Sequence, residues 1–164
     1  MTSQDMELSN FELSAFLRHY APHTFYKVCP YNEFKATDCP FFPIAIVANS
    51  KPDSVPVGHW VGLFINDQKM GIFFDSFGLE PWGKFANFFR RNASYAVYNT
   101  VTLQADETSC GYHVLYFLTQ ISRRSLWGIL KCYERHSDND RMVVDFYKQR
   151  VSVLKPKKIA YHIW

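Results

Sequence analysis

The chain has 164 residues, enough for one well-buried core and too few for two, so a single domain over 1–164 is expected. Hydrophobic residues make up 48% and aromatics 18%, which excludes a disordered or coiled-coil chain. Lys and Arg (18) exceed Asp and Glu (15) by only three, too small a surplus for nucleic acid to be the main ligand, since strong phosphate binding needs many clustered cations.

The short basic clusters "FFRR" (88–91), "SRR" (122–124) and "KPKK" (155–158) read as solvated faces, and at most as a weak DNA contact. The N-terminal "MTSQDMELSNFELS" has no apolar run of signal-peptide length, and no segment approaches the ~20 apolar residues of a membrane span, so a soluble intracellular protein is expected. The four cysteines, Cys29, Cys39, Cys110 and Cys132, contain no C-x-x-C, which favours neither a zinc site nor a disulfide framework. Reduced thiols, no metal and no cofactor are the expectation.

In chain order, "SNFELSAFLRHY" opens with Ser9 and has Glu12 three places on. This capping box predicts a helix near 10–19 that buries Phe16 and Leu17. The segment 21–40 carries Pro22, Pro30 and Pro40 with no sustained period and reads as an irregular wrap or short strands. "FFPIAIVANS" is a buried strand and "KPDSVPVG" a loop. "HWVGLFIN", "DQKM" and "GIFFDSFG" form an antiparallel hairpin. "LEPWGKFANFFRRN" has Pro81 near its start and aromatics at 82, 85, 88 and 89, a helix packed on the sheet. "YAVYNTVTLQ" alternates as a strand. A helix from Cys110, one from Ser125 and one capped by Ser137 or Asp138 follow, and "KPKKIAYHIW" is an extra strand or a tail. The order helix, strands, helices predicts an α+β fold whose central sheet is mostly antiparallel.

The chemistry sits in "LQADETSCGYHVLYFL". A thiol attacks a carbonyl carbon as thiolate, and the positive end of a helix favours that form; Cys110 stands at such an end. Thr108 or Ser109 can cap the helix, and Gly111 removes a side chain beside the sulfur, leaving the backbone accessible to a substrate. A nucleophile needs a base. Of the six histidines, His59 lies at the start of a central strand between Gly58 and Trp60. Asp75 ends the partner strand and can orient that imidazole, provided the register is right, because a slip of one residue turns either side chain to the other face. Gln104 can donate to an oxyanion beside the Cys110 backbone N–H. Each residue alone also has a plain structural reading: Cys110 as a core thiol, His59 as an ordinary strand histidine, Asp75 as a turn cap and Gln104 as a packing residue. Trp60 and Trp82 read as core before substrate groove, and His113 as a packed or partner-bonded residue before a second base. The joint order His, Asp, Gln, Cys-Gly points to catalysis.

"GHWVGLFI", "FFDSFGLEP", "LQADETSCGYHVLYFL" and "NDRMVVDFY" together resemble the adenovirus-type (adenain-like) cysteine proteases, especially those of Maverick/Polinton elements and adintovirus-like viruses, over residues 10–150. More distantly they resemble the Ulp/SENP class. The resemblance implies a papain-like thiol protease fold with catalytic His59, Asp75, Gln104 and Cys110. It implies cleavage of viral capsid or core precursor polypeptides during virion maturation, commonly after small residues such as glycine, by a monomer in the host nucleus or the virion. Adenovirus proteases carry a glutamate where Asp75 stands, and they are stimulated by a viral peptide and DNA; this composition demands neither activator. Two alternatives are an isopeptidase acting on Gly-Gly-terminated ubiquitin-like modifiers and a non-catalytic DNA- or capsid-binding module on a protease fold.

Overall fold

The computed structural model describes residues 7–51 and 58–154. "KPKKIAYHIW" and most of the "KPDSVPVG" loop lie outside the described residues.

Helix α1 (Asn10–Tyr20) starts with the expected capping box: Glu12 N–H donates to Ser9 Oγ at 3.2 Å and Ser9 N–H to Glu12 Oε1 at 3.1 Å. It buries Leu13, Phe16 and Leu17. The proline-bearing wrap holds one strand, β1 (Phe25–Cys29), and a single 3₁₀ turn at Tyr31–Glu33. Strands β2 (Ile44–Asn49), β3 (Trp60–Ile65) and β4 (Met70–Phe74) follow, then α2 (Gly83–Asn92), β5 (Tyr95–Tyr98), α3 (Cys110–Gln120), α4 (Leu126–Glu134) and α5 (Asn139–Leu154).

The five strands form one sheet in the order β1-β2-β3-β4-β5. Its centre, β2-β3-β4, is antiparallel, and the outer strands β1 and β5 each join in parallel, so the α+β sheet is mixed. The β4-to-β5 step is parallel because α2 lies between the two strands and carries the chain back across the sheet. The β3–β4 reversal needs no glycine. Asn66 Oδ1 accepts from the N–H groups of Gln68 (3.0 Å) and Met70 (2.9 Å), and Lys69 takes the left-handed conformation at φ 61°.

Strand β3 is buried on both faces. Val61, Leu63 and Ile65 face Phe85, Phe88 and Phe89 of α2, whereas Trp60 and Phe64 face the cluster formed by α1, α3, α4 and α5. Helix α3 is the spine of that cluster. Every residue from 110 to 118 is buried, the polar His113 included, and its Phe117 ring stacks on Phe74 at 4.6 Å and 5°. Truncating either ring removes core contacts worth about 3–5 kcal/mol. The strand read as 95–104 stops at Tyr98, because Asn99 turns inward and spends its side chain on the backbone of Asp75. Among the described residues no helix is long and apolar enough to cross a membrane.

Candidate active site

His59 directly precedes β3, and its carbonyl accepts from Ser50 N–H at 2.8 Å. The glycine before it packs closely on Asn49. A Cβ at Gly58 would lie 1.8 Å from Asn49 Oδ1, so any larger residue here has to displace the Asn49 side chain, whose Oδ1 accepts Lys51 N–H at 2.9 Å. Asp75 directly follows β4 and is held from both sides: Asn99 Oδ1 accepts its N–H at 3.2 Å, and Asn99 Nδ2 donates to its carbonyl at 2.6 Å. A turn closed by Gly78 N–H on the Asp75 carbonyl (2.8 Å) follows, with Gly78 at φ 77°.

The hairpin brings the two side chains together, His59 Nε2 to Asp75 Oδ1, at 2.7 Å. Asp75 Oδ1 also accepts Phe77 N–H at 2.8 Å, and the Phe77 ring stacks on the imidazole at 4.9 Å. Asp75 is completely buried, and its Oδ2 has no hydrogen-bond partner among the described residues, so its charge is met on one side only.

Cys110 is the first residue of α3, with the Trp60 N–H 3.5 Å from its sulfur. The His59 side chain hydrogen-bonds to Cys110 as well as to Asp75. With Nε2 taken by Asp75, Nδ1 is the nitrogen left for the thiol. Burial works to lower the His59 pKa, but the hydrogen bonds to Asp75 and Cys110 and the charges on both outweigh it and raise it from 6.5 to about 9. Cys110 itself is only 1% exposed.

Two local expectations give way. Ser109 occupies the N-cap position of α3, but its side chain makes no capping bond. The hydroxyl donates instead to Asp140 Oδ1 at 3.0 Å, while Asp106 Oδ1 accepts the N–H groups of Thr108 (3.1 Å) and Ser109 (2.9 Å). Gly111 does not open the sulfur to substrate. A Cβ there would meet Leu8, Leu13 and Trp60 at 3.3–3.4 Å, so the glycine admits core packing.

Gln104 is 3% exposed, and both ends of its amide are engaged. Oε1 accepts the Ser76 hydroxyl at 2.5 Å, and Nε2 donates to the Asp106 carbonyl at 2.9 Å. The second amide hydrogen has only a 3.5 Å contact to Asp106 Oδ1 and can turn to an incoming oxygen. The Ser76 carbonyl in turn accepts the N–H groups of Leu103 (2.7 Å) and Gln104 (3.0 Å). Ser76, Asn99, Asp106 and Asp140 were not singled out from sequence. Polar residues destined for burial carry no periodic signal. The one available hint was the run of turn-formers around 105–109.

Trp60 is 8% exposed within the core, and Trp82 packs edge-on against Phe73 and Phe85, so both serve packing. His113 is completely buried and partner-bonded, to Tyr133 through Nδ1 (2.9 Å) and to Asp140 through Nε2 (2.8 Å). All four cysteines are free thiols. Burial raises Cys29 to about 11, partly offset by Lys27, which leaves it an inert thiol. Among the described residues no cluster of His, Cys, Asp and Glu is arranged to hold a metal.

No protein-family model matches the sequence, and no curated protein matches it significantly. Solved structures do match. The ASFV pS273R protease aligns with TM-score 0.65 at 14% identity over 87% of this chain and 66% of that one. The central domain of the uncharacterized Lpg1148 protein from Legionella pneumophila aligns at 0.54 and 12% identity over 93% and 99%. The SUMO protease Ulp1 aligns at 0.47 and 10% identity over 88% and 80%. The chain thus spans just under two thirds of the ASFV protease and shares its fold, a five-stranded sheet flanked by helices.

Proposed function

We propose that the chain is a cysteine endopeptidase in which Cys110 is the nucleophile, His59 the acid and base, Asp75 the group that orients His59, and Gln104 the oxyanion donor. The observation that carries this reading is the hydrogen-bonded series Asp75, His59, Cys110, with the sulfur on the first residue of a buried helix. The likeness of fold to a protease supports it.

The steps follow from which atoms face each other. The Cys110 thiolate attacks the scissile carbonyl carbon, and the oxygen gains negative charge beside the Cys110 N–H and the Gln104 amide. Collapse breaks the C–N bond, and the amine leaves with the proton from His59 Nδ1, giving a thioester. His59 then takes a proton from water, the hydroxide attacks the thioester, and thiolate and imidazolium are restored as the acid product departs. Asp75 holds the tautomer and stabilises the imidazolium throughout. A nucleophile with 1% exposure is best reached by a chain without bulk at the cleaved residue, which supports cleavage after glycine or another small residue. The substrates inferred are capsid or core precursor polypeptides of a virus, processed as particles mature. The motif resemblance to adenovirus-type proteases and the fold shared with the ASFV protease support that choice.

The test is a peptide-library cleavage profile on the wild-type chain and on Cys110→Ala. The expected result is cleavage after small residues by the first and none by the second, with unchanged circular dichroism. Wild-type-like cleavage by Cys110→Ala would overturn the assignment.

A further inference from the structure

The segment between Gln104 and Cys110 has no secondary structure of its own, yet it must hold an amide and a helix end in fixed relation. One carboxylate ties it down. Asp140, 6% exposed in the first turn of α5, accepts through Oδ2 from the N–H groups of Asp106 (2.9 Å) and Ala105 (3.1 Å). Through Oδ1 it accepts from the Ser109 hydroxyl (3.0 Å) and His113 Nε2 (2.8 Å). The neighbouring Asn139 Nδ2 donates to the Leu103 carbonyl at 3.2 Å. None of these bonds reaches Cys110, His59 or Asp75. They fix the 105–106 backbone instead, and the Asp106 carbonyl is the acceptor that orients the Gln104 amide.

We infer that Asp140 is a positioning residue for the oxyanion side of the site: it sets the direction of the Gln104 amide relative to the Cys110 N–H without touching the reacting atoms. The inference rests on the protease reading and deepens it. It divides the site into two separately built halves, a thiol-imidazole half carried by the hairpin and an oxyanion half carried by the start of α5.

Two reactions of the same sulfur separate the halves. Iodoacetamide alkylates the sulfur, which displaces iodide at a methylene carbon, a step that creates no oxyanion. p-Nitrophenyl acetate acylates the sulfur through a tetrahedral oxyanion and releases p-nitrophenolate. In the full chain, Asp140→Asn is expected to leave the alkylation rate at Cys110 within about twofold while slowing acylation by about 10- to 100-fold. Gln104→Ala should slow acylation similarly, and the double variant should be little worse than Gln104→Ala alone, because the two residues act through one amide. If Asp140→Asn fails to fold, Asn139→Ala and Ser109→Ala each remove one tie and should shift the same ratio by a smaller factor. Equal loss of both rates, or fully additive losses in the double variant, would overturn the inference and leave the protease reading standing. A wild-type Cys110 inert to both reagents would remove both.

Discussion

Among the described residues are two histidine-aspartate pairs with almost identical N–O distances. His59 Nε2 lies 2.7 Å from Asp75 Oδ1, and His113 Nε2 lies 2.8 Å from Asp140 Oδ1. They differ in what the other ring nitrogen meets. For His59 it is the Cys110 thiol, and the side chain keeps 19% exposure; for His113 it is the Tyr133 hydroxyl, and exposure is zero. The pairing alone therefore makes neither residue a base. An accessible imidazole facing a polarisable sulfur can pass a proton to a reacting group, whereas one closed between a phenol and a carboxylate can only hold structure. The carboxylates are inverted as well: Asp75 leaves Oδ2 without a hydrogen-bond partner among the described residues, while Asp140 engages both oxygens.

Reciprocal substitutions test that contrast most severely. His59→Ala should lower turnover by about 10⁴-fold or more, with a smaller loss of stability that comes from leaving the buried Asp75 carboxylate only its Phe77 N–H donor among the described residues. His113→Ala should do the reverse. It takes one hydrogen-bond donor from the Asp140 carboxylate and leaves a cavity in the core, at a cost of about 2–5 kcal/mol, or roughly 10 °C in a chain of this size. Turnover per folded molecule should fall less than tenfold. Calorimetry with kinetics on both variants checks the pair. A loss of activity in His113→Ala as large as in His59→Ala would erase the distinction.

Next in size is Asp75→Asn. An asparagine amide facing His59 Nε2 favours the tautomer that carries its proton on Nδ1, where it blocks proton uptake from the thiol. Turnover should fall by about 10³-fold or more with the fold intact. The pH profile sharpens this. The His59 pKa is raised to about 9, so the imidazolium and the stability of its pairing are fully present below 6.5 and lost as pH rises through about 9. The alkaline limb of turnover should therefore lie near pH 9 and move down in Asp75→Asn, as measured by stopped-time cleavage assays.

Asp140 gives the mirror image. Burial acts to raise its pKa, but bonds from His113, the Asp106 N–H, Ser109 and the Ala105 N–H prevail and lower it from 3.8 to about 2. A depressed carboxylate contributes stability above its unfolded value and loses it as pH falls through the folded one. Urea midpoints should thus decline between pH 4 and pH 2, and more of that decline should appear already near pH 4 in His113→Ala.

Much of this was legible in the chain because periodicity and motifs speak for elements that bury one face. The capping box at Ser9, the hairpin around "NDQK" and the aromatic spacing of 82–89 each report a local rule that the fold obeys. The order His59, Asp75, Gln104, Cys110 gave candidate site residues, and the hydrogen bonds bring the first, second and fourth together. The clamp on Gln104 was not legible. Ser76 and Asp140 lie 28 and 31 positions from the partners they bond, Gln104 and Ser109, and a long-range hydrogen bond between polar residues leaves no spacing pattern behind. Gly111 was misread for the same reason: its neighbours Leu8 and Trp60 arrive from other elements.

The smallest expected effect concerns the ring that covers the active pair. Phe77 is 38% exposed and stacks on His59 at 4.9 Å, a position with no counterpart at His113, where Tyr133 is stacked but wholly interior. Removing the ring lets water reach the His59 to Asp75 hydrogen bond and weakens it, since such bonds lose strength as the local dielectric rises. The backbone N–H of Phe77 still donates to Asp75 Oδ1, so the carboxylate stays in place. Phe77→Ala should therefore cost only about three- to tenfold in turnover and move the alkaline limb below 9, with the imidazole still paired. Phe77→Leu restores bulk without a π face. If it recovers the wild-type limb, exclusion of water is the operative contribution; if it behaves as Phe77→Ala, the stacked ring itself holds the imidazolium.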